Sequence, residues 1–280
     1  MVQRPGPQTW SDPNEPQWPG RGNMTGRLES KVTVVTGSSG GIGRSIAEAF
    51  ATEGAAVVIN SRVAERASAV AEELSRAGRR AIAFQADMQD PDQARALAQA
   101  AVEEFGRIDV WVNNAGVNVI GPSVDMSPDD WRRVIDTNLS GCFFGSQAAA
   151  RVMLAQKSGV IIQIGSIFGQ LGLATRAPYT TAKHGLVGMT KALAAEWAGD
   201  NVRVVCLEPG YIAAGLGLKG QELGVFTAAE IEGRTPMHRL GRPQELAGVA
   251  VFLASDEASF ITGTNITVDG GWVADGGWSF

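Results

Sequence analysis

The sequence predicts an α/β fold in which a single domain is doubly wound around a seven-stranded parallel sheet. Three observations carry that expectation. Short apolar, β-branched runs alternate with longer stretches of helical period, the rhythm of repeated strand and helix units. A glycine-rich turn, Thr36-Gly-Ser-Ser-Gly-Gly-Ile-Gly43, separates the first such run from the first helical stretch. At 280 residues and 44% hydrophobic content, the chain is long enough to bury one large core.

Residues 1–26 carry five prolines before Arg21 and little apolar material, so they are expected to form a disordered extension ahead of a domain spanning 27–280. No apolar segment of signal-peptide character stands in this stretch. The first strand is Lys31-Val-Thr-Val-Val-Thr36, whose β-branched residues favour extended backbone. After the glycine turn, Ile42-Gly-Arg-Ser-Ile-Ala-Glu-Ala-Phe50 places apolar residues at helical spacing. Further strands are expected near residues 56–60, 81–86, 109–112, 160–165, 202–207 and 265–269, each a short run suited to burial on both faces of a sheet. Long alanine-rich helical patterns occupy about 128–157 and 177–197.

Strand, glycines and helix in that order aim helix N-terminal amides, and the positive end of the helix dipole, at a pyrophosphate. Gly37, Gly41 and Gly43 are the positions where a side chain would block the cofactor or helix packing. A second motif is Pro178-Tyr-Thr-Thr-Ala-Lys-His184, with Tyr179 and Lys183 four residues apart and so on one helix face. At a separation of ~4 Å and an effective dielectric of ~20, the ammonium stabilises a phenolate by ~4 kcal/mol. Ser166 closes the apolar run Val160-Ile-Ile-Gln-Ile-Gly-Ser166, at the strand end where parallel sheets open onto their ligands. Singly, such a serine is a turn former and such a pair an amphipathic surface. Together with the glycine turn they supply a proton donor, its tuning cation, a hydroxyl for a substrate oxygen and a phosphate cradle. That set points to hydride transfer between a nicotinamide and a small-molecule alcohol or ketone.

Residues 27 to 273 resemble the short-chain dehydrogenase/reductase family, in its short single-domain branch. Besides the two motifs above, the resemblance rests on Asn113-Asn-Ala-Gly116, Thr137-Asn-Leu139, Pro209-Gly210 and Val268-Asp-Gly-Gly271. It implies a Rossmann fold and a catalytic tetrad of Asn138, Ser166, Tyr179 and Lys183, with Asn138 holding a water that links Lys183 to solvent. It further implies cofactor contacts from Gly37, Ser39, Gly41, Ile42, Gly43, Ser61, Arg62, Asp87, Asn114, Ala115, Gly116, Tyr179, Lys183, Pro209, Gly210 and Ile212. On the residues alone, Asn138 reads as a helix-interior polar group bonded to backbone, and Asp87 as a helix cap ahead of Asp90-Pro91. The chain departs from the family pattern at Ala214, where a threonine is common, and at Val205, where an asparagine is common.

The second strand ends Val57-Val-Ile-Asn-Ser-Arg62, without an acid at Asn60 or Ser61 to bind ribose hydroxyls and with Arg62 placed for a ribose phosphate. NADP(H) is therefore the expected cofactor and NAD(H) the alternative.

A net charge of −5 without a long basic run argues against nucleic acid or an anionic membrane as partner. No apolar span reaches bilayer length, so cytoplasmic residence is the expectation. The two cysteines, Cys142 and Cys206, lie in apolar contexts as core thiols, and His184 and His238 stand far apart, so no metal site is expected. The resemblance implies a homotetramer, with a dimer as the alternative. Residues 211–240, with Gly215, Gly217, Gly220 and Gly224, are expected to form a flexible lid over the substrate. Its residues Leu216, Leu218, Phe226, Met237, Glu222 and Arg239 admit a sugar, a polyol, a steroid or a β-ketoacyl thioester.

The pattern is similar to sugar and sugar-acid dehydrogenases and, as the alternative, to 3-oxoacyl carrier-protein reductases, for which Arg132, Arg133 and Arg151 are candidate contacts to an acidic carrier. A non-catalytic dinucleotide sensor is the alternative from another class. An enoyl reductase fits less well, because that branch usually spaces its tyrosine and lysine more widely.

Overall fold

Seven strands form one parallel sheet in the order β3-β2-β1-β4-β5-β6-β7. They are β1 Val32–Val35, β2 Ala56–Ser61, β3 Ala81–Gln85, β4 Val110–Asn113, β5 Gly159–Ile164, β6 Val202–Pro209 and β7 Asn265–Val268. The helices are α1 Gly41–Thr52, α2 Ala64–Arg76, α3 Pro91–Phe105, α4 Pro128–Ile135, α5 Gly141–Gln156, α6 Ala177–Trp197, α7 Gly215–Glu222, α8 Ala228–Arg234 and α9 Pro243–Ala254. This is a computed structural model, and it describes residues 26–222 and 224–275. The expected extension over 1–26 lies outside the described residues, apart from Gly26. There is no room for a side chain at Gly26, where a Cβ would stand 2.1 Å from the Glu53 carbonyl oxygen.

The alternation of strand side chains divides the core into two layers. Val35, Val57, Ile59, Val112, Ile162 and Val205 pack under α1 and α9. Their neighbours Val34, Val58, Trp111, Ile161 and Val204 pack on the opposite face with α3 and α5. Both faces of the strands are therefore dry, which explains why these segments read as continuous apolar runs. Each fully buried valine or isoleucine contributes about 1.5–3 kcal/mol over its exposed state. Trp111 is fully buried, and its indole nitrogen donates to Asn113 Oδ1 at 2.8 Å, so burial leaves no indole donor unpaired.

Strand limits agree with expectation to within one or two residues. The largest difference is β6, which extends to Pro209 because Pro209 still pairs with Val268 of β7. The helical pattern over 128–157 is interrupted: α4 and α5 are joined through a π-helical turn, Asp136–Ser140. Gly141, just after it, passes so close to β3's exit segment that a Cβ would lie 2.8 Å from the Met88 carbonyl. No helix among the described residues is long and apolar enough to cross a membrane.

Candidate active site at the carboxyl ends of the strands

The sheet order reverses between β1 and β4, so the chain leaves these neighbouring strands in opposite directions and opens a crevice at their carboxyl ends. The glycine turn lines it. Gly37 and Gly41 have φ of 62° and 59°, which side-chain-bearing residues avoid. A Cβ on Gly37 would lie 2.9 Å from Ala115 Cα, and one on Gly43 would lie 2.3 Å from Asn114 Nδ2. Gly43 is thus required by contact with the segment after β4. Gly40, the N-cap of α1, offers no side-chain cap, so the helix's first amides have no capping side chain in front of them.

Polar side chains hold this turn in shape. The Thr36 hydroxyl accepts from the Asn114 and Ala115 amides at 2.9 and 3.0 Å. Asn114 Nδ2 donates to the carbonyls of Thr36 and Gly37 at 2.8 and 3.1 Å. Asn60 Oδ1 accepts from the Gly37 amide at 3.1 Å, and its Nδ2 donates to the Phe84 and Ala86 carbonyls, each at 3.2 Å. Asn60 therefore points into the core to brace the turn, leaving Ser61 and Arg62 as the residues at the outer end of β2. The Ser61 hydroxyl accepts from the Val63 amide at 3.1 Å, and the exposed Arg62 guanidinium stands 3.9 Å from the Asp87 carboxylate. The cap ahead of α3 is Asp90, whose Oδ1 accepts from the Asp92 amide at 2.8 Å. The capping alternative for Asp87 is thereby removed, and its carboxylate accepts from the Gln89 amide at 3.1 Å.

Tyr179 lies half-buried in the first turn of α6, and Lys183 follows one turn later. The Lys183 Nζ stands 5.5 Å from the centre of the Tyr179 ring and donates to the Ile164 carbonyl at 2.6 Å. That bond ties α6 to the last residue of β5, two positions before Ser166. Ser166 lies just past the strand end, where its hydroxyl accepts from the Phe168 amide at 3.2 Å. It has the local role of a turn former as well as its position at the crevice. Asn138 sits in the π-helical turn, where its Oδ1 accepts from the Val117 amide and its Nδ2 donates to the Val117 carbonyl, each at 2.8 Å. The backbone-bonded reading of Asn138 is what the geometry displays, and it fixes the loop after β4 against α5.

Gly116 is exposed beside Asn138. Gly210 packs on Asp269, where a Cβ would meet Asp269 Cα at 2.7 Å. Ile212 is buried and bridges to Gly241, while Ser39 and Ile42 are half-buried at the turn. Both cysteines are core thiols: burial pushes Cys142 up to about 11 and Cys206 up to about 12. His184 is exposed, with its Nδ1 3.0 Å from the Thr180 carbonyl oxygen.

Between Tyr211 and Leu240 the chain folds into α7 and α8. Tyr211 packs edge-on against Phe168 and Phe226 and tilted against Trp272, at centroid separations of 6.1, 5.1 and 4.8 Å. Arg239 is committed elsewhere, because its guanidinium forms two bonds of 2.8 and 2.7 Å with Glu245. Leu216 and Met237 are exposed; Leu218 and Glu222 lie outside the described side chains. The sequence reading missed Asn60 as the brace, Tyr211 as an aromatic centre and Arg176, which is buried at the start of α6. Arg176 did leave a signal, being the only charged residue between Lys157 and Lys183.

A family model described as "Enoyl-(Acyl carrier protein) reductase" matches residues 37–273. The chain belongs to the short-chain dehydrogenase/reductase family. Among its short-chain dehydrogenase/reductase relatives, the cyclohexanol dehydrogenase of Acinetobacter sp. (strain SE19) is 36% identical, covering 90% of this chain and 98% of the relative. The 3-oxoacyl-(acyl-carrier-protein) reductase of Thermotoga maritima is 38% identical, covering 88% and 99%. Among solved structures, a gluconate 5-dehydrogenase from Burkholderia cenocepacia in complex with NADP and tartrate superposes with a TM-score of 0.84 at 34% identity, covering 90% and 99%.

Proposed function

We propose that this short-chain dehydrogenase/reductase transfers hydride between a nicotinamide dinucleotide and a secondary alcohol or its ketone, with Tyr179 as general acid and base. The observation that carries the reading is the Lys183 side chain, held between the Ile164 carbonyl and the Tyr179 ring at the strand end that presents Ser166. A cradle in which Cβ atoms on Gly37 and Gly43 would collide with neighbours, facing an uncapped helix start, fits a pyrophosphate. Gly37, Ser39, Gly41, Ile42 and Gly43 would hold it, with Asn114, Ala115, Gly116, Pro209, Gly210 and Ile212 along the rest of the crevice. Asp87 would meet the adenine and Ser61 and Arg62 a ribose phosphate, so NADP(H) is favoured over NAD(H). The NADP complex of the Burkholderia cenocepacia gluconate 5-dehydrogenase supports that choice. A nicotinamide held there would supply the hydride-transfer chemistry.

The protein's own part is positioning and proton transfer. The Ser166 hydroxyl donates a hydrogen bond to the substrate oxygen. Tyr179 takes the alcohol proton at its Oη during oxidation and returns it to the carbonyl oxygen during reduction. The Lys183 ammonium stabilises the phenolate that exists before the alcohol proton is taken and after it is returned. Asn138 fixes the loop beside Lys183, where a water would pass the proton to solvent. Residues 211–240 close over the substrate as a lid, excluding water.

A sugar, polyol or sugar acid is the proposed substrate class. The 3-oxoacyl carrier-protein reductase reading is supported by the Thermotoga maritima relative. Against it, Arg132 and Arg133 are paired with Asp129 and Asp130 at 3.2 and 2.8 Å and present little free positive charge to an acidic carrier. The four-residue spacing of Tyr179 and Lys183 argues against an enoyl substrate. The chain is proposed to act in the cytoplasm as a homotetramer assembled through α5 and α6, and sedimentation as a monomer at micromolar concentration would overturn that assembly. The activity is tested by following 340 nm absorbance with both cofactors against sugars, polyols and β-ketoesters. Dinucleotide binding without turnover of any of them would favour the non-catalytic sensor.

A further inference from the structure

We propose that Arg176 anchors a carboxylate carried by the substrate, so that the alcohol or ketone handled at this site is a hydroxy acid or a keto acid. The proposal rests on the oxidoreductase reading and narrows its substrate. Arg176 is 8% exposed, yet among the described residues it has no carboxylate partner. Its Nη1 donates to the adjacent Thr175 hydroxyl at 3.1 Å, and among the described residues its Nε and Nη2 have no acceptor. Neither of those nitrogens is among the polar atoms sealed from solvent without a partner, so this edge opens outward. The half-buried Arg203, by contrast, bonds the carbonyls of Leu253 and Ile261 at 2.7 and 3.2 Å.

Helix stability does not account for Arg176. It is the N-cap residue of α6, makes no side-chain cap bond, and sets a positive charge at the positive end of the helix dipole. The segment is held in that arrangement at a cost. Thr175 has φ of 64°, rare for a β-branched residue, and its carbonyl accepts from the Gly121 amide at 3.0 Å. The guanidinium lies within electrostatic reach of Tyr179 and Tyr211, while burial pulls its pKa below the ordinary value. A buried cation at the start of α6, three residues before Tyr179, with its Nε and Nη2 edge open, matches the two oxygens of a carboxylate in bidentate geometry. An anion there would also answer the unfavourable charge at the start of α6.

The experiment is calorimetric titration of the protein loaded with NADPH, a combination that oxidises no alcohol. D-Gluconate is compared with D-glucitol, and 3-hydroxybutyrate with 2-butanol. The wild type is expected to prefer the carboxylate in at least one pair by roughly 10- to 100-fold, the range of one charged hydrogen-bonding pair. Arg176→Leu is expected to abolish the preference and Arg176→Lys to retain part of it. Should the leucine variant fail to fold by circular dichroism, Arg176→Gln takes its place. Equal affinities in both pairs, or a preference that survives loss of the guanidinium, would overturn the proposal. Binding of glucitol 6-phosphate in place of either acid, with the same dependence on Arg176, would overturn the carboxylate in favour of a phosphate. In parallel, 340 nm assays with NADP+ separate the two readings. Neutral alcohols turned over without carboxylate preference sink only this proposal; carboxylate preference without turnover of any alcohol sinks only the oxidoreductase reading.

Discussion

The Lys183 ammonium donates to the Ile164 carbonyl at 2.6 Å, so the helix that carries Tyr179 is pinned to the strand that leads into Ser166. Two elements joined at one buried bond keep the Tyr179 phenol and the Ser166 hydroxyl in register. The phenol itself does not take part in that bond. Replacing Tyr179 by Phe is therefore expected to preserve the fold and the cofactor affinity while cutting turnover by roughly 10²- to 10⁴-fold. Stopped-flow hydride transfer and fluorescence titration with NADPH would separate the two effects, and near-full turnover would remove Tyr179 from the mechanism.

Asn60 braces the glycine turn through three hydrogen bonds from a buried position. Asn60→Ala should destabilise the fold by about 1–3 kcal/mol, because it leaves the Gly37 amide and two carbonyls without their partner. Dinucleotide affinity should fall with it, since the Gly37 amide would lose its anchor while only the carbonyl stays bonded to Asn114. Denaturant unfolding and NADPH titration test this pair of effects, and an unchanged unfolding midpoint would show that the brace is dispensable.

Arg62 is exposed and only loosely paired with Asp87, at 3.9 Å. Its charge is free to meet a ribose phosphate. Arg62→Ala is expected to raise the dissociation constant for NADPH by more than that for NADH, and equal losses would leave cofactor choice without this residue.

Glu208 is buried on β6, and desolvation raises its carboxyl above the ordinary range although Gln170, Thr267 and Asn265 donate to it and His184 lies in electrostatic reach. A carboxyl raised in the folded state contributes its full stability below its unfolded value, about 4.3, and loses it as pH climbs through the folded value. Glu208→Gln carries no such charge. Asn265 Oδ1 is buried without a partner, so an amide flip would let it accept from the new glutamine. The melting temperature of Glu208→Gln relative to wild type should rise as pH increases above about 4.3. A gap that stays constant with pH would show that Glu208 does not titrate in this way.

Local chemistry was the legible part of the site. Gly37, Gly41 and Gly43 follow from the turn they build, and Tyr179 and Lys183 from helical spacing, because each signal lies within a few residues. The bracing role of Asn60 was missed because strand alternation gives its position, but not what lies on the inner side. Its partners, Gly37, Phe84 and Ala86, come from two other segments. Arg239 looked like a pocket residue until Glu245, six positions on, was seen to hold it. Arg176 stood out in the chain only as an isolated charge, and its meaning depends on burial and on Tyr211, 35 positions later.

The order of elements, the two-layer core and the placing of Tyr179 and Lys183 on one helix face were set by the chain itself, because period, β-branching and short-range spacing act between near neighbours. Which polar groups brace the crevice, which arginines are already paired and which keeps an open edge were decided only when the sheet brought distant segments together. Burial and hydrogen-bond satisfaction are properties of that assembled surrounding and have no counterpart in a single stretch of sequence.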